Sequence, residues 1–112
     1  MAHTEAAKDD AMYDMKMLDR LDSVAERAPA TMAAFSRFAD AAMAAGALSV
    51  KTKELIAVAV AHVTQCIYCL ELHLGKARKA GATDEELVEA AFVAATIRAG
   101  GALMHMTHIC KE

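Results

Sequence analysis

Apolar side chains recur at helical spacing along most of the chain. A stripe at positions 12, 15, 18, 21 and 24/25 predicts a helix from about Asp10 to Arg27, since residues three and four apart share one helix face. A second stripe follows Pro29, which suits the first turn of a helix, and it continues to Gly46, a suitable C-cap. We therefore expect two helices before the middle of the chain.

The middle of the chain is its most apolar part. Ser49 can cap a third helix, about Val50 to Thr64, and after Glu54 that helix is apolar nearly all round. Such a helix is typically central and buried. A break near Gln65 then leads into a fourth helix, about Ile67 to Ala80.

The last third of the chain begins with a clear helix start. Thr83 and Glu86 have the spacing of a capping box, which predicts a fifth helix over about Asp84 to Ala99. We expect the acids of this first turn to act only as a cap. The pair Gly100–Gly101 then predicts a break or kink before a short segment from Ala102 to Ile109.

Composition agrees with a helical fold. Apolar residues make up 56% of the chain, which has 8 Met, 1 Pro and no Trp. Alanine is abundant; Ala and Met both favour helix, and no segment alternates like a strand. We predict one all-α domain over residues 1–112, with five or six helices. Because alanine faces bury little area, we expect part of the core to be completed between subunits.

Charge and hydropathy patterns exclude several classes of function. The net charge is −3 and the 12 Lys and Arg are scattered, which argues against nucleic-acid binding. The longest uninterrupted apolar run, Leu55 to Ala61, has 7 residues, whereas a membrane span needs about 20. The sequence also begins without a basic and apolar leader. We expect a cytoplasmic protein that does not span a membrane.

The candidate chemistry lies in a Glu-x11-Cys-x2-Cys-x3-His pattern formed by Glu54, Cys66, Cys69 and His73. On one helix, the two cysteines and the histidine share a face. A helix N-terminus stabilises a thiolate, and CxxC pairs commonly have a lowered thiol pKa. A helical hairpin turning near Gln65 would bring the carboxyl group alongside. The pattern therefore predicts a dithiol site with a proton relay.

The residues alone leave alternatives open at this site. The helix dipole favours Cys66 as the attacking thiol, whereas a histidine one turn after Cys69 favours Cys69. The cysteines could also be two small buried apolar side chains. A zinc site is the other alternative, with Glu54 or His62 as fourth ligand beside the two cysteines and His73. Otherwise His62 is expected to be a hydrogen-bonded core histidine.

With these residues, the chain resembles the alkyl hydroperoxidase D-like branch of the carboxymuconolactone decarboxylase-like superfamily. The resemblance covers roughly residues 28–105, including the segments Ser49 to Ala57 and Gly81 to Glu86. It implies an all-helical homo-oligomer, often a trimer or hexamer. We expect no cofactor and no bound metal. It also implies a thiol-dependent antioxidant enzyme, either an alkyl hydroperoxide reductase or a protein disulfide reductase.

The same resemblance implies a role for each residue. Cys69 would attack the hydroperoxide and become a sulfenic acid, and Cys66 would resolve it to a disulfide. His73 and Glu54 would relay the proton, and an external dithiol would reduce the disulfide. Where the full-length hydroperoxidase carries a histidine before its second cysteine, this chain has Tyr68, a phenol that stays neutral at pH 7. This replacement argues against high peroxidase activity.

A second group of potential metal ligands lies near the end of the chain. His105, His108 and Cys110 have ligand-like spacing near the end of the chain. Because no second pair of ligands accompanies them, we predict surface or interface residues, with Cys110 a free thiol. A lactone-decarboxylase-like protein without redox chemistry is the alternative to the thiol enzyme, although lactone decarboxylases lack the CxxC pair.

Overall fold

The fold is described by a computed structural model over residues 14–110. Within that range the chain is helical and forms no strand, so the all-α prediction is confirmed. The helices are α1 (Leu21–Arg27), α2 (Pro29–Met43), α3 (Val50–Thr64), α4 (Ile67–Lys79) and α5 (Asp84–His105), with 3₁₀ turns at Met15–Arg20 and Met106–His108.

The chain divides into two compact units between Ala44 and Ala45. The first unit contains α1 and α2, which pack against each other. The second contains α3, α4 and α5 and carries the residues of the CxxC pattern. The single domain expected over residues 1–112 stays a prediction.

The two helices of the first unit are shorter than their apolar stripes predict. The first predicted helix starts at Asp10, outside the described residues, and the α-helix itself begins at Leu21 after the 3₁₀ turn. Asp14 caps that turn by accepting a hydrogen bond from the Lys16 N–H at 2.9 Å. Helix α2 ends at Met43 and not at Gly46, because the backbone is already extended at the next residue.

Helix α3 is central to the second unit, since it packs against both α4 and α5. Its N-cap is Ser49, as predicted, whose hydroxyl accepts from the Thr52 N–H at 3.1 Å. The expectation of burial all round is wrong for the single chain. Two packing partners cover only part of a helix, so Ile56 and Val60 stay 47% and 52% exposed. The buried side chains of the helix are Glu54, Val58 and Ala61.

The core of the second unit is small and draws on all three helices. Val58 and Ala77 are fully buried, and Leu87 is 6% exposed. Partly buried leucines on α3 and α4 pack around this cluster. Because two of its four buried members are alanines, the cluster supplies only modest apolar burial. The residues involved are Val58, Ala77, Ala82 and Leu87, with Leu55, Leu70 and Leu74 against them.

Two residues with positive φ produce the chain reversals of this unit. Gln65 (φ 57°) ends α3 in the left-handed conformation, a usual way to close a helix. This reversal agrees with the break that the sequence predicts near Gln65. Gly81 (φ 97°) lies between α4 and α5, where the lack of a Cβ makes this backbone conformation accessible.

Helix α5 has the predicted start but not the predicted end. Thr83 and Glu86 form the capping box, with hydrogen bonds of 2.9 and 3.1 Å between side chain and backbone. The helix then runs through Gly100–Gly101 to His105, so the predicted break is wrong. A glycine costs a helix only about 1 kcal/mol relative to alanine, and the turns on either side carry the helix across the pair.

The stretch Asp84–His108 is long and apolar enough to cross a membrane, judged by length and composition. Core helices of soluble proteins can have the same length and apolar composition. The apolar runs of the stretch are short, because Glu89, Thr96 and Arg98 interrupt them. Arg98 donates a hydrogen bond to the Val63 carbonyl at 2.7 Å, which ties α5 to α3. The expectation that the chain does not span a membrane stays a prediction.

Candidate functional site

A buried acid–imidazole pair joins α3 to α4. Nδ1 of His73 lies 2.6 Å from Oε2 of Glu54, and the two side chains are 20% and 6% exposed. Glu54 is the one buried charged residue among residues 14–110. Burying a carboxyl group is costly unless it is hydrogen-bonded or paired, and the imidazole supplies that partner. The structure thus brings together two of the four residues in the predicted site.

The pair also orients the imidazole. When Nδ1 of His73 donates to the carboxylate of Glu54, the lone pair of the neutral ring is on Nε2. A carboxylate behind a histidine fixes its tautomer and stabilises the imidazolium that forms on proton uptake. The arrangement can therefore accept a proton at Nε2 and hold it.

The two cysteines of the CxxC pattern lie at the N-terminus of α4. Cys66 is the N-cap, and its Sγ accepts a hydrogen bond from the Cys69 N–H at 3.2 Å. The two sulfurs are joined as a disulfide, with the Cα atoms 5.3 Å apart. Cys66 is half-buried, whereas Cys69 is exposed. The disulfide therefore closes within the first turn of α4.

His73 follows Cys69 by one turn on the same helix. Side chains at this spacing are neighbours on the helix surface. Tyr68, the departure from the family pattern, is half-buried beside the second cysteine in sequence. The two cysteines and His73 are therefore on one helix, and the contact with Glu54 links that helix to α3.

His62 does not belong to this arrangement. Its ring is exposed, so the expected core position is wrong, although the expected hydrogen bond is present between Nδ1 and the Val58 carbonyl at 2.8 Å. A helix with packing partners on only some of its sides leaves this position in solvent. Over residues 14–110, no three His, Cys, Asp or Glu side chains are grouped so that they could hold a metal ion.

One ion pair of the second unit is not predicted by the sequence pattern. Lys51 pairs with Glu86 at 2.7 Å, which joins the first turns of α3 and α5. The hydrogen bond from Lys51, together with one from the Thr83 backbone, lowers the pKa of Glu86. The acids of the α5 first turn therefore do more than cap it. No local signal could reveal this pair, because its members are far apart in the chain.

A surface groove of about 350 Å³ lies in the second unit, lined by residues of α3, α4 and α5. Its floor is apolar, with Val58, Leu74 and Leu87, and its rim carries His62 and Arg78. The Glu54–His73 pair and the cysteines do not line it. The groove therefore neighbours the candidate site without containing its reactive groups.

The sequence matches the model of the carboxymuconolactone decarboxylase family over residues 29–112. The chain belongs to the carboxymuconolactone decarboxylase family. This confirms the resemblance on which the expected fold rests, and the alkyl hydroperoxidase D-like branch is consistent with it. Family membership covers proteins with different activities, so it does not fix the reaction.

Proteins similar to this family member come from several prokaryotes. "Uncharacterized protein 4 in cox locus" from Paracoccus denitrificans is 54% identical over 72 residues, which cover 64% of this chain and 65% of that protein. The chain thus spans just under two thirds of the length of this curated relative. The relative's name states no activity, so the function of this family member rests on its own residues.

Solved structures similar to the chain agree with the helical fold. A carboxymuconolactone decarboxylase family protein from Legionella pneumophila, in its apo form, is 39% identical, with a TM-score of 0.71 over 80% of each chain. A protein from Methanobacterium thermoautotrophicum is 39% identical, with a TM-score of 0.75 over 79% of this chain and 96% of its own. A Thermotoga maritima protein is 28% identical, with a TM-score of 0.66 over 86% and 94%.

Proposed function

We propose that this family member is a thiol-dependent oxidoreductase that reduces a hydroperoxide or a disulfide with its CxxC pair. The observation that carries the proposal is the bridged Cys66–Cys69 pair on the same helix as a histidine that is hydrogen-bonded to a buried carboxyl group. A core role alone does not call for an exposed cysteine or for a buried carboxyl group paired with an imidazole. Cytoplasmic location is part of the proposal.

In the first step, Nε2 of His73 takes the proton of the Cys69 thiol. The thiolate attacks one peroxide oxygen, so that an S–O bond forms as the O–O bond breaks. The departing alkoxide takes the proton from the imidazolium and leaves as an alcohol. Cys69 is then a sulfenic acid, oxidised by two electrons, and Glu54 stabilises the charged imidazole in between.

In the second step, Cys66 attacks the sulfur of the Cys69 sulfenic acid. The S–S bond forms, hydroxide leaves, and the proton of the Cys66 thiol converts it to water. An external dithiol then returns two electrons and two protons and reopens the pair. With a protein disulfide as substrate, the reduced Cys66–Cys69 pair would transfer its electrons to it by thiol–disulfide exchange.

Exposure supports Cys69 as the attacking thiol. Cys69 is open to solvent, whereas Cys66 is half-buried, and a bulky hydroperoxide needs access to the sulfur that it meets. The Cys69 N–H donates to Cys66 Sγ at the helix N-terminus, a position that favours a thiolate and by itself favours attack by Cys66. The proposal gives greater weight to the exposure of Cys69 and leaves Cys66 as the resolving thiol.

The test begins with the fully reduced chain and one equivalent of cumene hydroperoxide, followed by peptide mass mapping. We expect rapid closure of the Cys66–Cys69 disulfide and its reopening by a dithiol. Cys66→Ser should leave a sulfenic acid on Cys69 that dimedone traps, and Cys69→Ser should remove peroxide turnover. The matched control is Cys110→Ser, since Cys110 is an exposed free thiol and should not matter.

Other outcomes of this test contradict parts of the proposal. A dimedone adduct on Cys66 would reverse the two roles. Thiols that do not respond to peroxide or to a disulfide substrate would remove the redox function. An activity that survives alkylation of every thiol would support a lactone-decarboxylase-like enzyme instead.

A further inference from the structure

Two imidazoles lie together at the C-terminal end of α5. His105 is the last residue of the helix, and His108 is the last residue of the 3₁₀ turn that follows. Their ring centroids are 5.9 Å apart, and both side chains are exposed. Side chains at i and i+3 eclipse each other in a 3₁₀ turn, so the turn holds both rings on one side of the chain. The proposed redox chemistry uses neither residue.

A hydrogen bond to the backbone of α5 orients the ring of His105. Its Nδ1 donates to the Gly101 carbonyl at 2.9 Å, which puts the lone pair of the neutral ring on Nε2. Histidines that bind metals almost always donate their other ring N–H to a carbonyl or a carboxylate, because this fixes the tautomer and orients the lone pair. His105 therefore has the hydrogen bonding of a metal ligand.

The separation of the rings also suits one shared ion. An imidazole nitrogen lies about 2.0–2.1 Å from the zinc it binds. Two rings on one ion then have centroids roughly 5 Å apart, by the same bond length and a near-tetrahedral angle. The observed separation of 5.9 Å is close to this value, and the His108 side chain is exposed.

We propose that His105 and His108 form a bidentate site for a divalent transition-metal ion that prefers imidazole nitrogen, the class of Zn²⁺, Ni²⁺ and Cu²⁺. No third His, Cys, Asp or Glu is grouped with them in residues 14–110, so water completes the coordination. The site shares no residue with the CxxC pattern. It does not depend on the proposed redox function, and a metal bound there stabilises the end of α5.

The test uses Ni²⁺ as the probe and the full chain with its Cys66–Cys69 disulfide closed. Cys110 is alkylated first, and a His3→Ala background removes the one histidine outside the described residues. We expect one Ni²⁺ per chain by titration calorimetry. His105→Ala and His108→Ala should each weaken binding by at least about tenfold, because each removes half of the chelate.

The matched control is His62→Ala. His62 is also exposed and also holds a carbonyl four residues back through Nδ1, but it has no second imidazole beside it within the described part of the chain. We expect its replacement to leave Ni²⁺ binding unchanged. Equal loss in the His62→Ala and His108→Ala variants, or full binding in the doubly substituted chain, would overturn the proposal.

A second readout avoids substitutions in the site. Paramagnetic Ni²⁺ broadens the NMR signals of the rings that bind it, so substoichiometric Ni²⁺ should broaden the His105 and His108 rings before those of His62 and His73. Broadening of His62 or His73 first would contradict the site as strongly as the calorimetry would. Thermal melts of each variant confirm that the fold is intact, which is expected because both residues are exposed.

Discussion

The α3–α4 pair and the second half of α5 belong to one three-helix unit but distribute their polar and apolar groups in opposite ways. The α3–α4 pair buries the Glu54 carboxyl group, hydrogen-bonded to His73, beside the fully buried Val58. Beyond Ala94, α5 leaves Ile97 64% and Leu103 61% exposed. The α3–α4 pair thus buries a polar group together with its hydrogen-bond partner. The second half of α5 leaves apolar side chains exposed, and no other described helix of the same unit covers them.

The difference shows which groups are satisfied within one chain. A buried carboxyl group persists only where the fold supplies its partner, and for Glu54 that partner, His73, lies in the same chain. Contiguous exposed apolar side chains commonly mark an interaction surface. The outer face of α5 agrees with the expectation that a second copy completes the core, and the homo-oligomer, trimer or hexamer, stays a prediction. The exposed large apolar side chains on this helix are Val88, Phe92, Val93, Ile97, Leu103 and Met104.

The largest expected effect comes from Glu54→Gln, which tests whether the buried pair works in chemistry. The amide keeps the size and one acceptor for His73 but cannot stabilise an imidazolium. We expect peroxide-dependent thiol turnover, measured as kcat/KM, to fall by about 10²–10⁴-fold, the usual contribution of a positioned acid–base pair. The melting temperature should change little, which separates a relay from a purely structural bond.

The control for that experiment is Glu71→Gln, an exposed glutamate on α4. It removes the same charge from the helix that carries the cysteines. We expect its kcat/KM to match that of the unsubstituted chain. If both variants lose activity equally, the loss reflects net charge, and the buried pair has no special role.

The next effect concerns stability and compares Leu87→Ala with Ile97→Ala, one on each half of α5. Leu87 is 6% exposed, so its truncation should reduce the free energy of unfolding by about 2–5 kcal/mol. Ile97 is 64% exposed, and its truncation should cost no more than about 0.5 kcal/mol in a single chain. Urea unfolding at low micromolar protein concentration measures both.

Protein concentration sharpens this comparison. If a second copy covers α5, the loss of unfolding free energy caused by Ile97→Ala should grow as the protein concentration rises. The loss caused by Leu87→Ala should be the same at low and high protein concentration, because Leu87 is buried within one chain. Light scattering gives the mass directly. A monomeric mass at the same concentrations would contradict the predicted oligomer.

The smallest effect is the pH dependence of the Lys51–Glu86 pair. The hydrogen bond from Lys51 holds the pKa of Glu86 below its ordinary 4.5. A carboxyl group with a lowered folded pKa stabilises the fold above its unfolded pKa, and this stabilisation is lost as the pH falls through the folded value. Lys51→Met should therefore reduce the gain in stability between acidic and neutral pH, measured by thermal melts.

The control for this small effect is Lys76→Met, which removes an exposed lysine from α4. Both partners of the Lys51–Glu86 pair are about one third exposed, at 36% and 34%, so solvent screens the interaction and the change should be modest. If stability depended more steeply on pH in the Lys51→Met variant than in the unsubstituted chain, Lys51 would not be the group that lowers the pKa of Glu86.

Local signals explain which parts of this fold were predictable. Ser49 and Thr83 cap their helices as expected, because capping depends on side chains within three residues of the backbone groups they satisfy. The approach of Glu54 to His73 followed from helix spacing and one reversal. These features depend on short stretches of chain, so the sequence specifies them without knowledge of tertiary packing.

The failures lie where tertiary context decides. Gly100–Gly101 remains helical because the turns around it carry it, and its weak local preference is overruled. The exposure of Ile56 depends on how many helices pack against α3, which apolar periodicity does not specify. Arg98 reaches the Val63 carbonyl across 35 positions of sequence, and no spacing pattern indicates such a contact.

Cys66 is both a redox sulfur and the residue that begins α4. Its Sγ accepts a hydrogen bond from the Cys69 N–H, so the strength of this hydrogen bond depends on the charge of the sulfur. A thiolate carries a full negative charge and accepts a hydrogen bond more strongly than a disulfide sulfur does. If reduction leaves a thiolate on Cys66, we expect this hydrogen bond at the start of α4 to strengthen. The chemical shift and solvent exchange of the Cys69 amide would then report the oxidation state of the pair.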